Sequence, residues 1–312
     1  MLNLVLIIFG LIFLIQGGNW LLKSAVSLAL NLNIPKIVVG MTVVSFATSA
    51  PELIVSIKAA IEGYPDLALG NVVGSNIANL ALVLGITVFF GHIDVTRSFY
   101  TINWPMMMLS SLMFFAFIYF DGTLQRQEGI IMVIFLFLFL VYLLRFQKPA
   151  VIDELPEDDE PLPWYKTALL FGLGGMALWG GSELLIHGSV GLASAYGVSE
   201  RAIGVTVVSV GTSIPELAAS VIAMLKKEKA ISVGNLIGSN IFNLLAVLGI
   251  TAIITPIAAI DPRLLDSDIF WMLGVSFLIL PLVFLPRGMR LGWRDGMVLM
   301  VVYCFFVYFT LT

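Results

Sequence analysis

Two acidic residues, Glu52 and Glu216, stand in stretches otherwise apolar enough to cross a bilayer, and each closes a nearly repeated motif: GMTVVSFATSAPE at 40–52 and GVTVVSVGTSIPE at 204–216. A second pair follows, GNVVGSNIANLALVLG at 70–85 and GNLIGSNIFNLLAVLG at 234–249. Both pairs are displaced by the same 164 residues (216 − 52 and 243 − 79). The side chains these motifs offer are all oxygen donors: the carboxylates of Glu52 and Glu216, the hydroxyls of Thr48, Ser49, Ser75, Thr212, Ser213 and Ser239, and the amides of Asn79 and Asn243. Such a donor set suits a hard cation, Na⁺ or Ca²⁺. An ionised carboxylate at mid-membrane costs about 2.5–3.5 kcal/mol even on insertion scales, and no Lys or Arg lies mid-span to offset it. Two carboxylates facing each other across a repeat interface would make a −2 site that one Ca²⁺ neutralises, or that protonation neutralises when the ion is gone.

The spacing puts these donors where a backbone can help. Pro51 and Pro215 precede the two glutamates in mid-span, so each helix should kink or break there, turning carbonyl oxygens toward the interior. Thr48 and Glu52, Ser75 and Asn79, and Ser239 and Asn243 are each four residues apart and share a helix face. The glycines around them, Gly70, Gly74 and Gly85 with Gly234, Gly238 and Gly249, allow close helix approach. Ser, Thr, Asn and Gly can also serve only as glue between membrane helices, and any one of them alone reads that way; the paired glutamates and the duplicated ensemble do not. His92 and His187 fall in a loop and at a helix end, outside any metal-ligand pattern, and the single Cys304 is expected to pack in an apolar helix. No Ser/His, paired-Asp or His-metal arrangement occurs within the spans, so an enzyme is not expected and no cofactor is implied.

The elements that carry the motifs follow from composition. The chain has 312 residues, 59% hydrophobic and 12% charged, with a mean hydropathy of +1.02, and belongs in a membrane. Apolar runs recur at 2–22, 37–61, 67–90, 102–120, 129–144, 167–186, 202–225, 231–254, 269–285 and 292–311, giving ten transmembrane helices, five per half, with the second and seventh broken. The first run lacks a basic flank and a small-residue cleavage site, so it is expected to stay in place. An odd number of spans per half inverts the second half relative to the first, the plan of many secondary transporters. The halves cover 1–148 and 164–312, joined by an acidic linker at 149–163 that supplies much of the net charge of −4. With both termini outside, twelve Lys and Arg fall on the inner ends and loops and four on the outer ones, which fits the positive-inside rule and an inner-membrane, multi-pass protein.

At these residues the chain resembles the calcium/cation antiporter superfamily, in its compact prokaryotic sodium/calcium exchanger branch. The resemblance covers essentially the whole chain and rests on two duplicated motifs: GTSxPE, met in full at 211–216 and as ATSAPE at 47–52, and GNxxGSNxxN, present at 70–79 and 234–243. It implies that Thr48, Ser49, Glu52, Ser75 and Asn79, and in the second repeat Thr212, Ser213, Glu216, Ser239 and Asn243, are ion ligands, with carbonyls of Ser45, Thr48, Ser209 and Thr212 added. It implies further that the first and sixth helices slide to alternate access. Ala47 stands where the family usually has Gly. Asn243, where some relatives carry Asp, argues against K⁺ co-transport. The expected function is therefore electrogenic exchange of three Na⁺ for one Ca²⁺, independent of K⁺. A Ca²⁺/H⁺ antiporter and a cation channel are the alternatives. The implied partners are Na⁺, Ca²⁺ and the lipid bilayer, with no nucleic acid; the oligomeric state is left open.

Overall fold

The computed structural model describes residues 2–146, 161–195, 209–285 and 288–311. Helix α1 spans Leu2–Leu32 and stops where Asn33 turns left-handed (φ 53°) ahead of Pro35. Two helices follow as one bent pair, α2 at Lys36–Thr48 and α3 at Ala50–Ile61, with 44° between them. Then come α4 (Pro65–Thr87), α5 (Phe99–Tyr119) and α6 (Arg126–Phe146). The second half holds α7 (Trp164–Ala195), a single turn at Ser209–Gly211, α8 (Ile214–Leu225), α9 (Lys229–Ile254), α10 (Leu264–Phe284) and α11 (Trp293–Leu311). Among the described residues, eight helices are long and apolar enough to cross a membrane, and nine if the bent pair is one span. The span expected at 202–225 begins outside the described residues, as does most of the expected linker, and only its apolar helix α8 is seen.

The chain divides into two compact units, one formed by Met1–Thr48 and Leu140–Asn235, the other by Ser49–Phe139 and Leu236–Thr312. In the first, α1 and α7 are in backbone contact. A methyl group added to Gly17 would lie 2.8 Å from the amide nitrogen of Leu178, and one on Gly181 would lie 2.9 Å from the carbonyl of Gly10. Only glycine permits this approach. A polar clasp fixes the start of α7 to α1: Ser27 Oγ accepts from the Leu162 amide and meets Thr167 Oγ1, both at 2.9 Å, and Asn31 donates to the Leu162 carbonyl at 2.9 Å. Gly40 of α2 meets Gly234 near the start of α9, and Lys36 pairs with Glu228 at 2.7 Å.

In the second unit, two glycine contacts tie α4 to α11 (Gly85 with Gly296) and α9 to α6 (Gly249 with Gly129). Gly70 and Gly74, expected to serve close packing, instead have no atom of the described residues within 4 Å of an added methyl. Two short antiparallel ribbons close the ends of the bundle: β1 (Ile93–Asp94) pairs with β4 (Arg290–Leu291), and β2 (Thr123–Leu124) with β3 (Ile257–Ala258). Asp66 accepts from the amides of Ile260 and Asp261, holding the loop beyond β3. α4 and α9 are the most enclosed spans, 72% and 78% buried against 22–39% for the other six. Large apolar side chains such as Phe137 and Phe270 face outward, as lipid contact requires. Cys304, expected to pack, is on this exposed surface.

Candidate cation site

The break between α2 and α3 places proline where it does no harm. Ser49 takes the cap position (φ −86°, ψ 1°) and Pro51 falls in the first turn of α3, where a backbone amide would have no helical partner. Glu52 therefore sits in that first turn, at the positive end of the helix dipole, which favours a carboxylate. Ser213 repeats the geometry before α8 (φ −87°, ψ 4°), with Pro215 and Glu216 in the equivalent places. Both glutamates are wholly buried, at 0% exposure.

Within the second unit, α3 and α4 both pack against the stretch of α9 that carries Asn243. That stretch, Asn243–Leu248, and its counterpart Ala78–Val83 in α4 are wound as π-helix. Such wide turns recur at functional sites. Ser49, Ser75, Asn79, Ser239 and Asn243 are all buried in this unit. The amide nitrogen and oxygen of both Asn79 and Asn243 have no hydrogen-bond partner among the described residues. Each such atom costs about 1–3 kcal/mol when buried, so these amides are able to bond a polar guest. Neighbouring Asn76 donates to the Asn240 carbonyl at 3.3 Å and thereby ties α4 to α9.

Within the first unit, Ser45 and Thr48 lie buried on α2 against Asn235. Ser45 Oγ is 2.8 Å from the Gly40 carbonyl and 3.0 Å from that of Asn235, either of which can accept its single proton. Thr48 Oγ1 lies 3.2 Å from Asn235 Oδ1. Thr212 is partly buried and Ser213 fully so, with Ser213 Oγ lacking a hydrogen-bond partner among the described residues. Ser209 opens the turn before them, its side chain outside the described residues. A methyl group added to Gly175 would lie 3.9 Å from the Ala47 methyl, an ordinary contact, whereas one added to Gly211 would come within 2.6 Å of the Ile186 side chain, which would have to shift.

Two further pairs escaped the sequence reading. Asn71 donates to Ser56 Oγ at 3.0 Å and to the Glu52 carbonyl at 3.4 Å, and Asn235 donates to Ser220 Oγ at 3.0 Å. These bonds hold the glutamate-bearing helices against the helices that follow. The signal was present: 71 and 56, advanced by 164, give 235 and 220. Among the described residues no three His, Cys, Asp or Glu side chains cluster, so the donors are chiefly hydroxyl, amide and carbonyl oxygens beside single carboxylates.

A helical membrane protein with buried oxygen donors at two helix breaks is, by class, an ion transporter and not an enzyme. The chain belongs to the sodium/calcium exchanger protein family, whose profile matches residues 2–145 and 166–312. It is 36% identical over 311 residues to the putative antiporter CaxA of Alkalimonas amylolytica, covering 97% of each chain. It is 35% identical over 288 residues to the inner membrane protein YrbG of Escherichia coli, covering 88% of this chain and 86% of that one. A solved structure of the sodium-calcium exchanger NCX_Mj superposes with a TM-score of 0.83 at 26% identity over 97% of each chain.

Proposed function

We propose that the chain is a secondary antiporter that exchanges Na⁺ for Ca²⁺ by alternating access, with Glu52 and Glu216 as its charged ligands. The observation that carries the reading is the duplicated helix break, each followed by a fully buried glutamate in a first helical turn. The unsatisfied amides of Asn79 and Asn243 support it. Thr48, Ser49, Ser75, Ser239, Thr212 and Ser213 complete the proposed donor set, with carbonyls of Ser45, Thr48, Ser209 and Thr212. Three Na⁺ against two carboxylates leave +3 − 2 = +1, and one Ca²⁺ leaves +2 − 2 = 0, so three-for-one exchange would move net charge. Asn243 cannot ionise, in keeping with independence from K⁺.

The proposed architecture is ten spans in two inverted repeats. The ribbons support it: β1 and β3 occupy equivalent places in the two halves (93 + 164 = 257), yet β1 pairs with β4 and β3 with β2. With α5 and α10 each crossing the membrane, this pairing would put equivalent loops at opposite ends of the bundle, in keeping with inversion. The Lys/Arg asymmetry favours both termini outside. The name of the Escherichia coli relative favours an inner membrane. α1 and α7, locked by their glycines, would move as one body.

The test is ⁴⁵Ca²⁺ uptake into proteoliposomes with Na⁺, K⁺ and H⁺ gradients imposed separately. Uptake driven by Na⁺ alone is the expected result. Uptake driven by H⁺ and indifferent to Na⁺ would replace the proposed counter-ion.

A further inference from the structure

We infer that the first unit carries a binding site for an anionic phospholipid headgroup, in a cavity of about 520 Å³ between α1 and the end of α8. The volume lies within the roughly 300–1,000 Å³ usual for small-ligand sites. Its charged lining consists of Lys23, Lys226 and Glu228. Glu228 is already engaged by Lys36 at 2.7 Å. Lys23 and Lys226 are exposed, and neither has an ion-pair partner among the described residues. Two unneutralised ammonium groups therefore face one cavity. They repel Na⁺ and Ca²⁺, so the cavity is no route for the transported ions, and they attract an anion.

The rest of the lining distinguishes a lipid from a dissolved anion. Gln16 and Asn19 add amide groups along α1, while Trp20, Val26 and Leu30 give an apolar wall. A phosphate set between the lysines with glycerol and acyl carbons along that wall satisfies both characters. Indole rings also favour the level of lipid headgroups. The floor is rigid, because Leu162, another lining residue, is fixed to α1 by Ser27 and Asn31. None of these residues belongs to the proposed ion site, so this inference stands apart from the exchange reading.

Native mass spectrometry of the purified full-length protein, titrated with phosphatidylglycerol or phosphatidylcholine, tests the site. Wild type should retain phosphatidylglycerol preferentially. Lys23→Gln/Lys226→Gln should weaken that retention about thirtyfold, at about 1 kcal/mol per lysine, and Lys23→Arg/Lys226→Arg should restore it. Lys58→Gln, an exposed lysine outside the cavity, should leave it unchanged. Equal retention of both lipids, or retention insensitive to the double Gln variant, would overturn the proposal. Glycerol 3-phosphate binding as tightly as the lipid would also overturn it, in favour of a soluble phosphate.

Discussion

Asn243 is a neutral amide, buried in a π-turn with both polar atoms unpartnered among the described residues, at a position where a carboxylate would change the charge of the proposed site. Asn243→Asp adds a titrating group, so Na⁺-driven Ca²⁺ flux should depend more steeply on pH than in wild type across about pH 5–8. Superimposable pH profiles would remove the role given to this residue. The ligand candidates were legible because they recur at a fixed offset and because a glutamate inside an apolar span demands an explanation. Asn71 and Asn235 recur equally well, yet an amide alone reads as helix glue. Their part becomes visible only with the partners Ser56 and Ser220, 15 residues away in sequence.

Breaks in the two glutamate-bearing segments follow from proline chemistry, and the structure adds that each proline opens a new helix and does not distort an old one. The π-turns at Ala78–Val83 and Asn243–Leu248 were not legible, since hydrophobic periodicity does not report which carbonyl an amide reaches. Glycine function was only half legible: composition marks glycine as small, whereas its neighbours decide whether smallness matters. Gly17 and Gly180 separate these cases, one with the Leu178 amide nitrogen 2.8 Å from an added methyl, the other with nothing within 4 Å. Gly17→Ala should therefore force α1 from α7, cost about 1–3 kcal/mol as overpacking does, and lower the thermal midpoint of the purified protein. Gly180→Ala should leave that midpoint unchanged. Equal midpoints for both variants would show that the α1–α7 contact is looser than described.

Across the whole chain, the repeat read from sequence does not coincide with the compact units. Each unit draws on both halves, and the unit boundaries fall between Thr48 and Ser49, at the first helix break, between Phe139 and Leu140, and between Asn235 and Leu236. Sequence similarity marks which segments are equivalent, whereas packing decides which segments associate, and glycine contacts such as Gly10 with Gly181 and Gly85 with Gly296 join opposite halves. The central claim is that two buried glutamates, one in each half, carry the transported cation. Its most direct test is Na⁺-gradient-driven ⁴⁵Ca²⁺ uptake by proteoliposomes of wild type, Glu52→Gln and Glu216→Gln, each shown to be folded and inserted. Loss of uptake to the level of empty liposomes in both variants is the predicted result, and wild-type uptake by either variant would contradict the account.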